Sequence, residues 1–81
     1  MPAKQAAEWT SSEAATLIGR RVRTRMAFSG VPADTTATVV RVDPGSRGYT
    51  VALEWDLTGR ETPLVDWFRR AEWDRIIETL P

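Results

Sequence analysis

The sequence predicts a mainly β fold: a small barrel of about four to five antiparallel strands, with a short N-terminal helix and a C-terminal amphipathic helix beside it. Three observations carry this. Two arms rich in β-branched and aromatic residues, Thr36 to Val42 and Tyr49 to Trp55, enclose Asp43-Pro44-Gly45-Ser46-Arg47-Gly48, a connection with one proline and two glycines, so the pair reads as a β-hairpin. Upstream, from Arg20, polar and apolar residues alternate with the period of a strand. At the C-terminus, Trp73, Ile76, Ile77 and Leu80 fall at helical spacing, with Glu72, Asp74, Arg75 and Glu78 on the opposite side.

With 81 residues the chain is one domain, and a domain this short buries only about 60 to 65% of its unfolded surface. Its core must use large side chains, and four tryptophans, two phenylalanines and one tyrosine meet that need. The absence of cysteine excludes a disulfide framework, and no apolar run is long enough to span a membrane, so a cytoplasmic setting is expected. Eleven basic and eleven acidic residues balance to a net charge of zero, which argues against a general nucleic-acid binder and leaves room for a local patch.

In chain order, residues 1–9 read as an arm, small and polar from Met1 to Glu8, with Trp9 folding back onto the first helical turn or onto the barrel. Thr10-Ser11-Ser12-Glu13 fits a capping box, in which hydroxyl and carboxylate each satisfy a backbone amide at a helix start. The helix over residues 10–18 then carries Ala14, Leu17 and Ile18 and stops at Gly19. The barrel occupies residues 20–68. Its first strand sets Val22, Thr24, Met26 and Phe28 on one face and Arg21, Arg23 and Arg25 on the other. A loop from Ser29 to Asp34 leads to the hairpin, and Glu61 to Asp66 makes a fourth strand in which Pro63 marks an edge or bend. The last helix covers residues 70–80. Val22, Met26, Phe28, Val40, Val42, Val51, Leu53, Trp55 and Ile76 are expected to share one core.

An Arg-Val-Arg strand, a proline-containing loop, Thr36-Ala37-Thr38-Val39-Val40, a Gly-rich turn and a strand ending Glu54-Trp55-Asp56 together resemble the SH3-like or KOW-type barrels of short bacterial proteins. The resemblance covers about Arg20 to Phe68 and implies a binding module. Such barrels often open their second strand with Gly-Thr-x-Gly, where this chain has Asp34-Thr35-Thr36-Ala37. Asp34 tolerates a left-handed turn and Ala37 does not, so the loop is expected to take its own shape.

The residue inventory removes most chemistry. Without histidine or cysteine, and with a single lysine at Lys4, the common general base, the thiol nucleophile and a buried Schiff-base lysine are missing, as are zinc's preferred ligands. Glu54, Asp56 and Asp66 read as ion-pair partners for Arg41, Arg60 and Arg69 rather than as an acid/base pair. Neither a catalytic residue, nor a metal site, nor a cofactor is predicted. Two binding readings remain. A protein partner would use Trp67, Phe68 or Tyr49 as an aromatic anchor beside Asp66. A nucleic-acid partner would use Arg21, Arg23 and Arg25, spaced about 6.5 to 7 Å apart along one strand face, with Arg47 adding to the patch. Against the second stands the reading in which these arginines cover the sheet and pair with cross-strand acids such as Glu54. A small accessory subunit of an enzyme complex is a third possibility. Zero net charge sets the protein partner first.

Overall fold

The computed structural model describes residues 8–45, 48–59 and 61–81. It is mainly β. Five antiparallel strands form one sheet in the order β4-β3-β2-β1-β5: β1 Arg21–Thr24, β2 Thr36–Gly45, β3 Gly48–Trp55, β4 Val65–Phe68 and β5 Ile77–Thr79. Two short helices, α1 Ser11–Leu17 and α2 Arg70–Ile76, complete it. The sheet is not closed into the expected barrel, because β4 and β5 stand at its two ends and share no ladder among the described residues. No described helix is long and apolar enough to cross a membrane.

The capping box forms as its residue types demand. Glu13 N–H donates to Thr10 Oγ1 at 3.2 Å while Thr10 N–H donates to Glu13 Oε1 at 3.0 Å. The Thr10 amide holds the Glu13 carboxyl below its ordinary range. A seven-residue helix does not persist alone in water, so α1 depends on packing, with Ala14 fully buried and Leu17 against the core. Gly19, at φ +87°, then turns the chain so that its amide reaches the Val39 carbonyl at 2.8 Å. Trp9 folds back onto the core as expected, so the arm read over residues 1–9 stops short of it: the ring is buried and meets Trp73 edge-on, with ring centroids 5.4 Å apart. Residues 1–7 lie outside the described residues.

Strand β1 is shorter than the alternation suggested. Val22 and Thr24 point inward as expected, but Thr24 is a hydroxyl in the core, and it satisfies itself by donating to the Met26 carbonyl at 2.6 Å. That local bond folds the backbone out of the strand, so Met26, predicted to be core, is 46% exposed. Phe28 and Val31 pair around Ser29 and Gly30, both at positive φ, and Asp34 takes φ 68°, the left-handed turn anticipated for it.

Hairpin β2–β3 runs from Ala37↔Trp55 to Gly45↔Gly48 with a β-bulge between Val39 and Arg41. One inserted residue reverses the alternation. Ala37 and Val39 are therefore buried, and Val40, expected in the core, is 39% exposed, while Val42 returns to the core's margin. In the interior strand β3, Val51, Ala52 and Leu53 are all buried, so both of its faces are covered. Pro44 stands opposite Tyr49 at a position that needs no donor toward β3.

The predicted fourth strand, Glu61 to Asp66, forms instead at Val65–Phe68, after a turn that Pro63 keeps out of the ladder. The helix expected over 70–80 ends at Ile76. Ile77 adopts φ −106°, ψ 143°, and Ile77–Thr79 becomes β5, paired with β1 through Val22↔Thr79, Arg23↔Glu78 and Thr24↔Ile77. Two successive β-branched residues favour this switch, and β1 offers backbone groups that a longer helix would leave unsatisfied. Trp73, Ile76 and Ile77 still bury the apolar stripe, with Leu80 half-buried. Phe28, Trp55 and Phe68 form a second aromatic group, the Phe28 and Phe68 centroids 5.3 Å apart.

Candidate binding surface

Strand β4 positions the aromatic candidates. Because successive side chains on a strand point to opposite faces, Trp67 and Phe68 separate. Phe68 is 2% exposed and belongs to the core, so its ring does not reach a partner, whereas Trp67 is 46% exposed. Trp67 stands opposite Ala52, and Ala52 stands opposite Arg41, so arginine, alanine and tryptophan make a row across the outer face of β2, β3 and β4. Val65 lies on the same face of β4, opposite Glu54 and 38% exposed. Residue spacing alone gave no signal for Val65 or Val40, since exposure of the second depends on the bulge.

The other two members of the aromatic reading are partly engaged elsewhere. Asp66 lies on the face opposite Trp67, half-buried, and accepts the Trp55 indole N–H at 2.8 Å, which satisfies the donor of a buried ring. Tyr49 is half-buried and bridges to Trp9, its amide donating to the Trp9 carbonyl at 3.4 Å. Trp67 is thus the only one of the four candidates that is both large and open.

Arg21 and Arg23 share a face of β1, and both are committed, whereas Arg25 lies past the end of the strand. Arg21 donates to Asp56 Oδ2 at 2.5 Å and to Thr38 Oγ1 at 2.7 Å. Asp56 also accepts from the Thr36 hydroxyl at 2.6 Å. These bonds, the Arg21 guanidinium first, lower the Asp56 carboxyl from its usual value, and Asp56 in turn raises Arg21. Arg23 pairs with Glu78 at 2.9 Å and lies 4.0 Å from Asp34. Arg25 makes no ion pair among the described residues, and Arg47 lies outside them.

The acids used are not the one anticipated. Glu54 faces Thr38, whose other neighbour is Arg21, so Glu54 is a full strand away from β1. Asp56, just past the end of β3, curls back through its amide to the Thr36 carbonyl at 2.9 Å and brings its carboxylate to β1. Of the basic partners expected for these acids, Arg69 pairs with Glu8 at 2.6 Å, Arg41 forms no ion pair among the described residues, and Arg60 lies outside them. At the start of β4, Glu54, Asp56, Leu57, Glu61, Thr62 and Pro63 line a shallow depression of about 380 Å³. No three described carboxylates converge closely enough to hold a metal ion.

Compared with protein-family models, curated proteins and solved structures, the chain matches none of them.

Proposed function

We propose that this chain is a non-enzymatic binding module of the SH3-like barrel type, which contacts a protein partner through the outer face around Trp67. One observation carries the reading: Trp67 is nearly half exposed in a domain whose other three tryptophans are buried. So small a core gains from every ring it encloses, and a ring left outside on a rigid strand is the kind of residue that anchors protein interfaces. Its surroundings suit that role. Val65 and Val40 add apolar area, and Arg41 adds a donor fork at the margin. The strand order, with the last strand laid beside the first, supports the SH3-like resemblance. Commitment of Arg21 and Arg23 to Asp56 and Glu78 supports sheet cover over phosphate contact. An enzyme subunit as the partner would use the same surface.

A pull-down from the source cell, with and without nuclease, tests this. Capture should survive nuclease and fail with Trp67→Thr, a residue that keeps strand propensity while removing the ring. Capture abolished by nuclease and indifferent to Trp67 would make the chain a nucleic-acid module instead.

A further inference from the structure

Strand β4 leaves a short run of backbone without a partner among the described residues, and the sequence around it selects what can fill it. Trp55 N–H donates to the Leu64 carbonyl at 3.0 Å, and Tyr49 N–H reaches Trp9 on the same side of β3. Backbone groups alternate sides along an antiparallel strand, so the residues of β4 that bond back to β3 are Asp66 and Phe68, opposite Leu53 and Val51. Val65 and Trp67 therefore turn their amides and carbonyls to the outer side, where no described strand lies.

The open stretch has clear bounds. Arg69 closes one end, its amide donating to Glu72 Oε1 at 3.0 Å and its carbonyl accepting from Trp73 N–H at 3.0 Å. Pro63, which has no amide hydrogen, bounds the other. Between them lie two donors and two acceptors beside the exposed side chains of Val65 and Trp67.

Charge decides between a second copy and a different chain. The two-fold pairing of β4 with itself that uses all four groups sets Val65 against Trp67 and Asp66 against Asp66. That juxtaposes like charges on neighbouring strands, which is destabilising, and an inward-facing acid is one way that proteins keep an edge from pairing with itself. Asp66 has no ion pair among the described residues, and neither have Glu54 and Glu61 in the depression at the start of β4. A strand carrying a basic residue at the central position meets the opposite situation.

We propose that the edge of β4 accepts an extended peptide as an added strand, with lysine or arginine opposite Asp66 and apolar β-branched or aromatic residues opposite Val65 and Trp67. Main-chain bonds hold the peptide, and the alternation of apolar, basic and apolar side chains selects it. The inference rests on reading Trp67 as a protein-contact residue and adds the mode of binding and the chemistry of the bound segment.

The test uses the full chain, isotope-labelled, and capped peptides Thr-Val-Arg-Val-Thr and Thr-Val-Glu-Val-Thr, following the Val65 and Trp67 amide resonances. The arginine peptide should shift both and bind about three- to tenfold more tightly than the glutamate peptide, within the range of an attractive cross-strand pair in one and a like-charge repulsion in the other taken together. Asp66→Asn keeps an oxygen for the Trp55 indole and should erase that preference. N-methylation of the two valines, whose amides face β4, should abolish binding, and N-methylation of the central arginine should spare it. Equal binding of both peptides, indifference to the position of the N-methyl groups, or a dimer of the chain alone in sedimentation equilibrium would overturn the proposal. No peptide binding, with Trp67-dependent and nuclease-resistant capture intact, would overturn edge pairing alone and leave the Trp67 reading standing.

Discussion

Replacing Val39 and Val40 by threonine, one at a time, tests the bulge that sets Val40 on the outer face. The two positions are adjacent and identical in chemistry, but Val39 is 1% exposed and Val40 is 39% exposed. Threonine has nearly the shape of valine and an equal liking for strands, so the change isolates the cost of a hydroxyl. At Val39 that hydroxyl enters an apolar site, which costs about 1 to 3 kcal/mol when no partner meets it. At Val40 it faces water, and the change should stay within about 0.5 kcal/mol of neutral. A domain of this size unfolds in urea with a slope near 1 kcal/mol/M, so Val39→Thr should lower the midpoint by about 1 to 3 M while Val40→Thr leaves it in place. Thermal melts give a parallel reading, at about 4 to 8 °C per kcal/mol. A larger loss at Val40 would mean strict alternation along β2 with Val40 and Val42 both inward and no bulge, and would put Val39 in place of Val40 on the outer face beside Arg41.

Acid unfolding should reflect Asp56. Its carboxyl is held below the unfolded value of about 4, so its contribution is present above that value and is lost as pH falls through the lower folded value; Asp56→Asn should flatten the melting temperature against pH in that window. Deleting residues 70–81 removes the buried Trp73, Ile76 and Ile77, together about 5 to 9 kcal/mol at roughly 1.5 to 3 each, and should abolish the cooperative thermal transition by circular dichroism; an unchanged melt would place these residues outside the core. Changing Arg21, Arg23 and Arg25 together to glutamine should lower the melting temperature and leave the protein partner bound. A salt-sensitive gel shift in the native chain, lost in this triple variant and retained in Trp67→Thr, would reverse the ranking of partner classes.

Features governed by near neighbours were legible in the sequence. The capping box at Thr10 and Glu13, the hairpin around Asp43 to Gly48, the left-handed Asp34 and the arginine face of β1 all follow from spacings of a few residues. At the C-terminus a distant strand decided the outcome. A stripe of Trp73, Ile76, Ile77 and Leu80 suits a helix, but β1 supplied a ladder that drew Ile77–Thr79 into a strand. Thr24 reads as one more polar residue until its hydroxyl is seen turning the chain at Met26. The bulge at Val40 leaves no mark in composition, because two valines in succession satisfy either parity. At the candidate surface, the separation of Trp67 from Phe68 follows from strand alternation, whereas the engagement of Asp66 by Trp55 required the register of β3 against β4.

The seam between β1 and β5 joins residues remote in sequence: Arg23 and Glu78, paired at 2.9 Å, are 55 positions apart. Closing so long a loop costs conformational entropy before any contact across it compensates, while the β2–β3 hairpin closes locally. The hairpin should therefore order early and the seam last. Until then β1 keeps one edge unpaired and the apolar side chains of Ile76 and Ile77 stay in water. The interval before β5 docks is thus the stage of folding at which two chains are most prone to exchange C-terminal strands, and it is shortened by whatever holds α2 in place, beginning with the contact of Trp73 on Trp9.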